Sequence, residues 1–378
     1  MHLLRLEIEN FRNIKKASLE FPPGAQLLIG GNAQGKTSLL EAVYFLATAT
    51  SHRTRSNREL IRWGSPSAFL RAEYRKAGRD WSLTAGFSEK ERRFRLDGEA
   101  LARSSDLYGN LRVVFFAPED LEFLAGGPTF RRRMLDLSLC QRFPHMVRVL
   151  LDYRKALKQR NSALRGGDSS VSGKALVRAW DRELARLGAL VIHSRASHAL
   201  ELLDQTAGHY HDLTLSAEVL SGEYRSSGTR AAWSTSQGVP LLAEIEAAFL
   251  ETLVANLDRD LAYRLTTCGP HRDDLVLRID GRTAEKYASQ GQRRSIALSL
   301  KLAERDLLLE RDEPPILLVD DVTHEMDIAR CTRFLEKVSS AGQALLTFTE
   351  EEAHRGVVRE ATRWRVSEGE VRLIPSDE

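Results

Sequence analysis

Leu4, Leu6 and Ile8 interleave with Arg5, Glu7 and Glu9 near the start of the chain, the period of two that predicts a half-buried strand. Gln26-Leu27-Leu28-Ile29 predicts a second, more deeply buried strand. It runs into Gly30-Gly31-Asn32-Ala33-Gln34-Gly35-Lys36-Thr37, after which Leu39, Leu40, Val43 and Leu46 take up the spacing of one helix face. Phe69 to Tyr74, Trp81 to Phe87 and Arg93 to Asp97, joined by Gly78 and polar turns, predict an antiparallel meander, and residues 111–116 a further buried strand. From residue 121 to about 211 the pattern turns helical. Met146, Val149, Leu150, Tyr153 and Leu157 mark one helix, and Val177, Trp180, Leu184, Leu187 and Val191 a second, with the polar stretch 165–173 as the turn of a helical hairpin. Two heptads are too few for a long coiled coil. The Ser/Gly/Arg-rich stretch 221–240 predicts a flexible loop, followed by a helix over 241–257. Strands and helices then alternate: Leu275 to Ile279, a helix from Gly291, Ile316 to Asp320, a helix from about Asp327, and Ala344 to Phe348.

Composition narrows this picture. A chain of 378 residues is long enough for two domains with real cores. With 42% hydrophobic and 28% charged residues it matches ordinary globular chains rather than disordered or fibrous ones. No apolar run approaches the roughly 18 residues of a membrane span, and the opening residues alternate charge with Leu, unlike a signal peptide. Neither membrane insertion nor export is expected. Cys140, Cys268 and Cys331 stand far apart, with no disulfide framework and no zinc-ligand spacing, so a reducing cytoplasm is the expected setting. The net charge of +3 is too small to identify a polyanionic partner, but it leaves room for local basic patches. The candidates are Arg53 and Arg55, after the Gly-rich loop and its helix, and Arg154, Lys155, Lys158, Arg160 and Arg165 on the first arm helix and its turn. A charge run on a helix equally marks a solvated face, and Arg131-Arg132-Arg133 suits pairing with acids inside the fold.

Gly30-x-x-x-x-Gly35-Lys36-Thr37 fits the phosphate-binding loop, in which backbone N–H groups and a helix N-terminus cradle a triphosphate. Gly30, Gly31, Asn32, Ala33, Gln34, Gly35, Lys36, Thr37 and Ser38 form the expected nucleotide cradle, with Lys36 reaching the terminal phosphates and Thr37 holding Mg²⁺. Ile316-Leu317-Leu318-Val319-Asp320-Asp321 is an apolar strand ending in two carboxylates, which suits a Walker B strand that brings Asp320 to the same Mg²⁺. One helix earlier, Ser289-Gln290-Gly291-Gln292 opens a helix whose N-terminus suits an anion, although plain N-capping by Ser289 explains the serine as well. The order of loop, Ser-x-Gly-Gln, helix and acidic strand is that of ATP-binding-cassette ATPases. About 250 residues separate Lys36 from Ser289.

Taken together, Leu6-x-Ile8-x-Asn10-Phe11-Arg12-Asn13, the loop with Leu39 to Tyr44, Ala117-Pro118-Glu119-Asp120-Leu121, Arg131-Arg132-Arg133-x-Leu135-Asp136, Gly269-Pro270-His271-Arg272-Asp273-Asp274, Ser289 to Gln292 and Asp320-Asp321-Val322 resemble the RecF family of DNA-repair ATPases. The resemblance spans most of the chain, and Gly-Pro-His-Arg-Asp-Asp is its most family-specific element. It implies an α/β fold: an ABC-type P-loop ATPase head with mixed parallel and antiparallel sheets, similar to Rad50 and SMC heads, carrying an inserted α-helical arm lobe. Residues 1–120 and 260–378 would form the head and 121–259 the arm. It further implies binding of ATP and DNA, an ATP-dependent homodimer, and action with RecO and RecR in placing RecA at gaps. Asp321 would then hold the attacking water, Ser289, Gly291 and Gln292 would reach the partner's nucleotide, and Asp327 would lie on the loop crossing the dimer.

The chain also departs from that family. Ala33 stands where Gly is usual, which strains the loop if the position needs φ > 0. His324-Glu325-Met326-Asp327 replaces Ser-Glu-Leu-Asp. Asp321 is shorter than the Glu of many cassette ATPases, and Thr347-Phe348-Thr349 has no switch histidine, so slow hydrolysis is expected. Two rival readings share the motifs: the ATPase subunit of a membrane transporter, which has a much shorter loop-to-signature distance and a switch His, and a small-molecule P-loop kinase, which has no use for Ser-Gln-Gly-Gln.

Overall fold

Each segment whose pattern predicted a strand folds as one, within a larger set of strands. In chain order these are β1 (His2–Phe11), β2 (Ile14–Glu20), β3 (Ala25–Ile29), β4 (Ser67–Lys76), β5 (Arg79–Ser88), β6 (Arg92–Leu96), β7 (Glu99–Ala100), β8 (Val113–Phe116), β9 (Leu220–Ser226), β10 (Ala231–Ser234), β11 (Asp274–Ile279), β12 (Arg282–Thr283), β13 (Ile316–Asp320), β14 (Ala344–Phe348), β15 (Ala361–Ser367) and β16 (Glu370–Ile374). The helices are α1 (Lys36–Thr48), α2 (Asn57–Leu60), α3 (Gly127–Arg142), α4 (Met146–Gly166), α5 (Val171–Arg178), α6 (Asp181–Thr214), α7 (Leu242–Ala255), α8 (Leu257–Tyr263), α9 (Ala284–Tyr287), α10 (Gln290–Leu308) and α11 (Ile328–Ser339). This computed structural model describes residues 1–54, 56–166, 170–309, 313–321, 327–340, 342–349 and 361–375.

The chain divides into two compact units, one of residues 1–121, 212–214 and 304–378, the other of residues 122–211 and 215–303. The first holds two six-stranded sheets among its described residues. One is antiparallel in the order β2-β1-β4-β5-β6-β7. The other runs β16-β15-β3-β14-β13-β8, parallel except for β16. The apolar runs of β3, β8, β13 and β14 are buried on both faces, as a covered parallel sheet requires. Helix α1 packs against β13 and β14 and also against β1, β4 and β5. Lying between two sheets, it buries Ala42, Phe45 and Ala47 as completely as Leu39, Val43 and Leu46, so the single apolar face expected from its spacing is replaced by burial nearly all round. Phe45 is its anchor, tilted against Phe11, Phe87 and Phe94.

The second unit carries the long helices and the antiparallel sheet β10-β9-β11-β12. Here the structure departs from the sequence pattern twice. Residues 221–240, expected as a flexible loop, contain the hairpin of β9 and β10, held by burial of Leu220 and stacking of Tyr224 on Trp233 at 6.3 Å. Small Ser and Gly residues between these few apolar positions hid the alternation. The second arm helix is split: α5 ends at Arg178, α6 starts at Asp181, and Val177 packs with Ala163, Leu164 and Leu257. Part of the turn between α4 and α5, residues 167–169, lies outside the described residues.

Arg160 corrects the expectation of a solvated basic face on α4. It is fully buried and donates to Asp181 at 2.8 Å, to Asp260 at 2.6 Å and to Thr266 at 2.9 Å. Such a charge is tolerated only because its partners converge on it. Among the described residues no helix is long and apolar enough to cross a membrane.

Candidate functional site

The Gly-rich loop leaves β3 at Gly30 and enters α1 at Lys36. Gly30 tolerates no side chain, since a Cβ there would lie 2.1 Å from the carbonyl oxygen of Val366. Lys36 is almost buried and folds over its own loop, its Nζ donating to the carbonyls of Gly30 at 2.6 Å and Gly31 at 2.8 Å. Burial lowers its pKa, against the opposing pull of Asp321 and Asp320. A phosphate placed over the loop would supply Lys36 with the charged partner that neutral carbonyls do not.

Two turns distant in sequence lock the loop. From the β1–β2 turn, Asn13 donates through Nδ2 to the Ala33 carbonyl at 3.2 Å and accepts from Ser38 Oγ at 2.9 Å. From the β15–β16 turn, the amide of Glu368 donates to the Gln34 side-chain oxygen at 2.6 Å, and that of Gly369 to the Gln34 carbonyl at 2.9 Å. Ala33 itself sits at φ +62°, the left-handed region that glycine occupies without strain. Replacing Ala33 by Gly should therefore stabilise the nucleotide-free protein by about 0.5–1 kcal/mol, the relief of strain exceeding the entropy glycine adds to the unfolded chain. Urea unfolding of the two proteins measures it, and an equal or lower midpoint for Ala33→Gly would contradict it.

The acidic strand delivers its carboxylates beside this loop. The sheet order β3-β14-β13 places one strand between the loop strand and the acidic strand, and Thr347 of that strand is in register with Asp320. The Thr347 hydroxyl donates to Asp320 Oδ1 at 2.9 Å and accepts from the Asp321 amide at 3.0 Å. Thr37 donates to the same Asp320 oxygen at 3.0 Å. Burial raises the Asp320 pKa, the hydroxyls of Thr347 and Thr37 oppose that, and neighbouring Asp321 adds to it. The structure therefore gives Thr347, noted in the sequence only for not being histidine, a bracing role between the two acids. Asp321 lies at φ +48° immediately after the strand.

Thr37 and Asp320 fit a magnesium ion of the kind that takes one carboxylate, one hydroxyl and phosphate oxygens. Among the described residues no group of three or more His, Cys, Asp and Glu is gathered for a metal, so a cation here would depend on the nucleotide's own oxygens. The cavity over the loop measures about 960 Å³, ample for a nucleoside triphosphate, and Asp320, Asp321, Arg12, Arg53 and Trp63 are among the residues that line it. Arg12 is fixed by two hydrogen bonds to Glu41, at 2.8 and 2.7 Å, and Ser51 donates to the same carboxylate at 2.5 Å. Burial alone would raise the Glu41 pKa; Arg12 and Ser51 together bring it below the usual value.

The remaining candidates fall elsewhere. Ser289 and Gly291 are exposed at the start of α10, in the second unit. The Ser289 amide donates to Gln292 Oε1 at 2.8 Å and the Gln292 amide to Ser289 Oγ at 3.3 Å, so Ser289 does cap its helix. Asp327 caps α11, accepting from the Arg330 amide at 2.9 Å, while His324, Glu325 and Met326 lie outside the described residues. Arg53 is exposed on the wall of the nucleotide cavity; Arg55 lies outside the described residues. On α4, Arg154 is 3.7 Å from Asp136, Lys155 donates to Asp152 at 3.1 Å, and Lys158 is exposed.

The Gly269-to-Asp274 motif is scaffold in the second unit. Buried Asp273 accepts from Tyr224 and from the Ser227 amide, each at 2.7 Å, and Asp274 takes two hydrogen bonds from Arg131 at 2.7 and 2.9 Å. That pairing is what the Arg131-to-Arg133 run suggested. His271 sits between the Tyr153 hydroxyl at 2.7 Å and the Thr266 carbonyl at 3.0 Å, and burial lowers its pKa to about 4. The carbonyl can only accept, so His271 carries its proton on Nε2 and Tyr153 donates to Nδ1.

Residues 2–366 match the family described as the RecF/RecN/SMC N terminal domain. The chain is 37% identical over 379 residues to the DNA replication and repair protein RecF of Acidothermus cellulolyticus, covering 99% of this chain and 100% of the relative. To the same-named protein of Lachnoclostridium phytofermentans it is 37% identical over 346 residues, 91% of each chain. Its fold is similar to the solved structure of "the recombination mediator protein RecF-ATP in RecFOR pathway", with a TM-score of 0.88 and 30% identity over 99% of this chain and 98% of the other. An Smc head domain from Pyrococcus furiosus shares the fold alone, at a TM-score of 0.57 and 12% identity.

Proposed function

Because this chain belongs to the RecF family of DNA replication and repair proteins, we propose that it is an ATP-gated DNA-binding switch of recombinational repair. Two copies close over two ATP molecules on DNA, and slow hydrolysis reopens them. The observation that carries the reading is the convergence of Lys36, Thr37, Asp320 and Asp321 on one cavity over the phosphate-binding loop. The relatives' role in replication and repair favours this over a transporter subunit or a metabolite kinase.

In the cycle, the loop amides and the α1 N-terminus receive the triphosphate, and Lys36 turns from its loop carbonyls to the terminal phosphates. Thr37 and Asp320 would hold Mg²⁺, which would neutralise phosphate charge when bound. Thr347 keeps Asp320 oriented and fixes the amide of Asp321, so that the Asp321 carboxylate, just past the strand end, orients the attacking water. Ser289, Gly291 and Gln292 complete the site of the second copy, and Asp327 marks the loop between the copies. A short carboxylate in place of Glu makes hydrolysis slow and suits a timer rather than a motor. The protein works in the cytoplasm with the mediators RecR and RecO, placing RecA at gaps.

DNA contact is electrostatic, because the sequence offers no base-reading motif and only dispersed Arg and Lys residues. Removing Arg154, Lys155 and Lys158 together should flatten the dependence of log affinity on log salt by about one for every phosphate these side chains neutralise, equally for all sequences. Arg53→Ala, on the nucleotide cavity wall, should instead weaken ATP binding and alter the salt slope less. Titrations of duplex DNA and of ATP over a salt series test the reading together with DNA stimulation of turnover. Turnover indifferent to DNA but raised by a metabolite would overturn it.

A further inference from the structure

We propose that Glu218 is a positioning residue for the nucleotide-completing end of α10, holding Gln292 and Ser289 in the one arrangement that can meet a phosphate on a second copy of the chain. The proposal rests on the shared-site reading above. Gln292 divides its side chain: Oε1 accepts from the Ser289 amide at 2.8 Å, and Nε2 donates to Glu218 Oε1 at 2.8 Å. A carboxylate only accepts, so Glu218 dictates which end of the carboxamide faces it and leaves the oxygen for Ser289.

The consequence reaches the serine. With Oγ accepting from the Gln292 amide at 3.3 Å, the exposed Ser289 hydroxyl keeps its own proton to donate outward. Reversal of the carboxamide would put an N–H group against the Ser289 amide, break the cap and release the serine. Glu218 is itself held. Its second carboxylate oxygen accepts from the hydroxyl of Tyr210, a fully buried residue in the last turn of α6, at 2.7 Å. The hydrogen bonds thus link α6 through Glu218 and Gln292 to Ser289, across residues that no motif joins.

Four variants decide the matter, each assayed in the full chain for binding of a fluorescent ATP analogue at high dilution and for ATP-dependent dimerisation by sedimentation. Glu218→Ala should bind the analogue like wild type, because the cradle lies in the other unit, yet raise the dimer dissociation constant about tenfold or more, as expected for losing a charge-assisted hydrogen bond at each of two sites. Glu218→Gln should restore most dimerisation, its carbonyl accepting from Gln292 and its amide donating to the Tyr210 oxygen. Tyr210→Phe, which removes a single hydroxyl, should weaken dimerisation in the same direction but less, and serves where Glu218→Ala does not fold. Ser289→Arg is the control for the underlying reading. If Ser289→Arg abolishes dimerisation while Glu218→Ala or Tyr210→Phe dimerises like wild type, the role of Glu218 is wrong and the shared site stands. Failure of Glu218→Gln to rescue would likewise overturn the hydrogen-bond assignment. Normal dimerisation by Ser289→Arg would remove the shared site, and this proposal with it.

Discussion

Asp321→Asn should cut ATP turnover by about 10²- to 10⁴-fold, the range that loss of a group acting on the attacking water commands, while leaving ATP affinity nearly unchanged. The expectation follows from the division of labour at the end of β13. Asp320 is buried and committed to Thr37 and Thr347. Asp321 sits just past the strand, on the cavity wall, with its amide donating to the Thr347 hydroxyl. Asparagine preserves size and that amide contact but removes the negative charge proposed to orient and polarise water. In the proposed cycle closure depends on ATP and reopening on hydrolysis, so the variant should accumulate as an ATP-bound dimer, seen as a persistent faster-sedimenting species. Turnover at the wild-type rate would assign the water to another residue.

Lys36→Ala should weaken ATP binding about 100-fold or more. The side chain is nearly buried, its ammonium donates to two carbonyls and feels the nearby acids Asp320 and Asp321, and no second lysine or arginine belongs to the loop. Losing it removes the one cationic side chain that the loop itself offers the triphosphate, and removal of one partner from a desolvated charge pair costs at least about 2–3 kcal/mol. Equilibrium binding of a fluorescent ATP analogue gives the number directly. If ATP drives closure as proposed, the variant should also remain monomeric with ATP present, and its fold should be intact by circular dichroism.

Where local spacing carried the information, the sequence was readable. The buried strand, Gly-rich loop and helix at 26–46, and the acidic strand at 316–320, have periods and turn chemistry that leave few alternatives, and both form the expected elements, the helix with burial nearly all round rather than on one face. What it hid depends on pairing over distance. Asn13 and Ser38 meet across 25 positions, Glu368 and Gln34 across 334, and neither pair leaves a local pattern. Thr347 acquires its part only because β14 lies between β3 and β13, an order no single segment encodes. Arg160 misled because its solvent-facing spacing on α4 takes no account of Asp181 and Asp260, which arrive from other helices to cover it. The hairpin in 221–240 was hidden for the opposite reason: its few large residues, Tyr224 and Trp233, stack across strands and compensate for small neighbours that read as a loop.

The central claim is that each ATP site is built from two chains, with Lys36 of one and Ser289 of the other. It is tested most directly by mixing Lys36→Ala with Ser289→Arg and measuring ATP turnover, after crosslinking has established that mixed dimers form. Each variant alone has no sound site. In a mixed dimer one site collects both lesions and the other collects neither. Random pairing makes about half the dimers mixed, each with one sound site, so about a quarter of wild-type turnover should return if the sites act independently. Substantial turnover by Ser289→Arg alone, at a dilution where it is monomeric, would mean that one chain completes its own site, and would contradict the account.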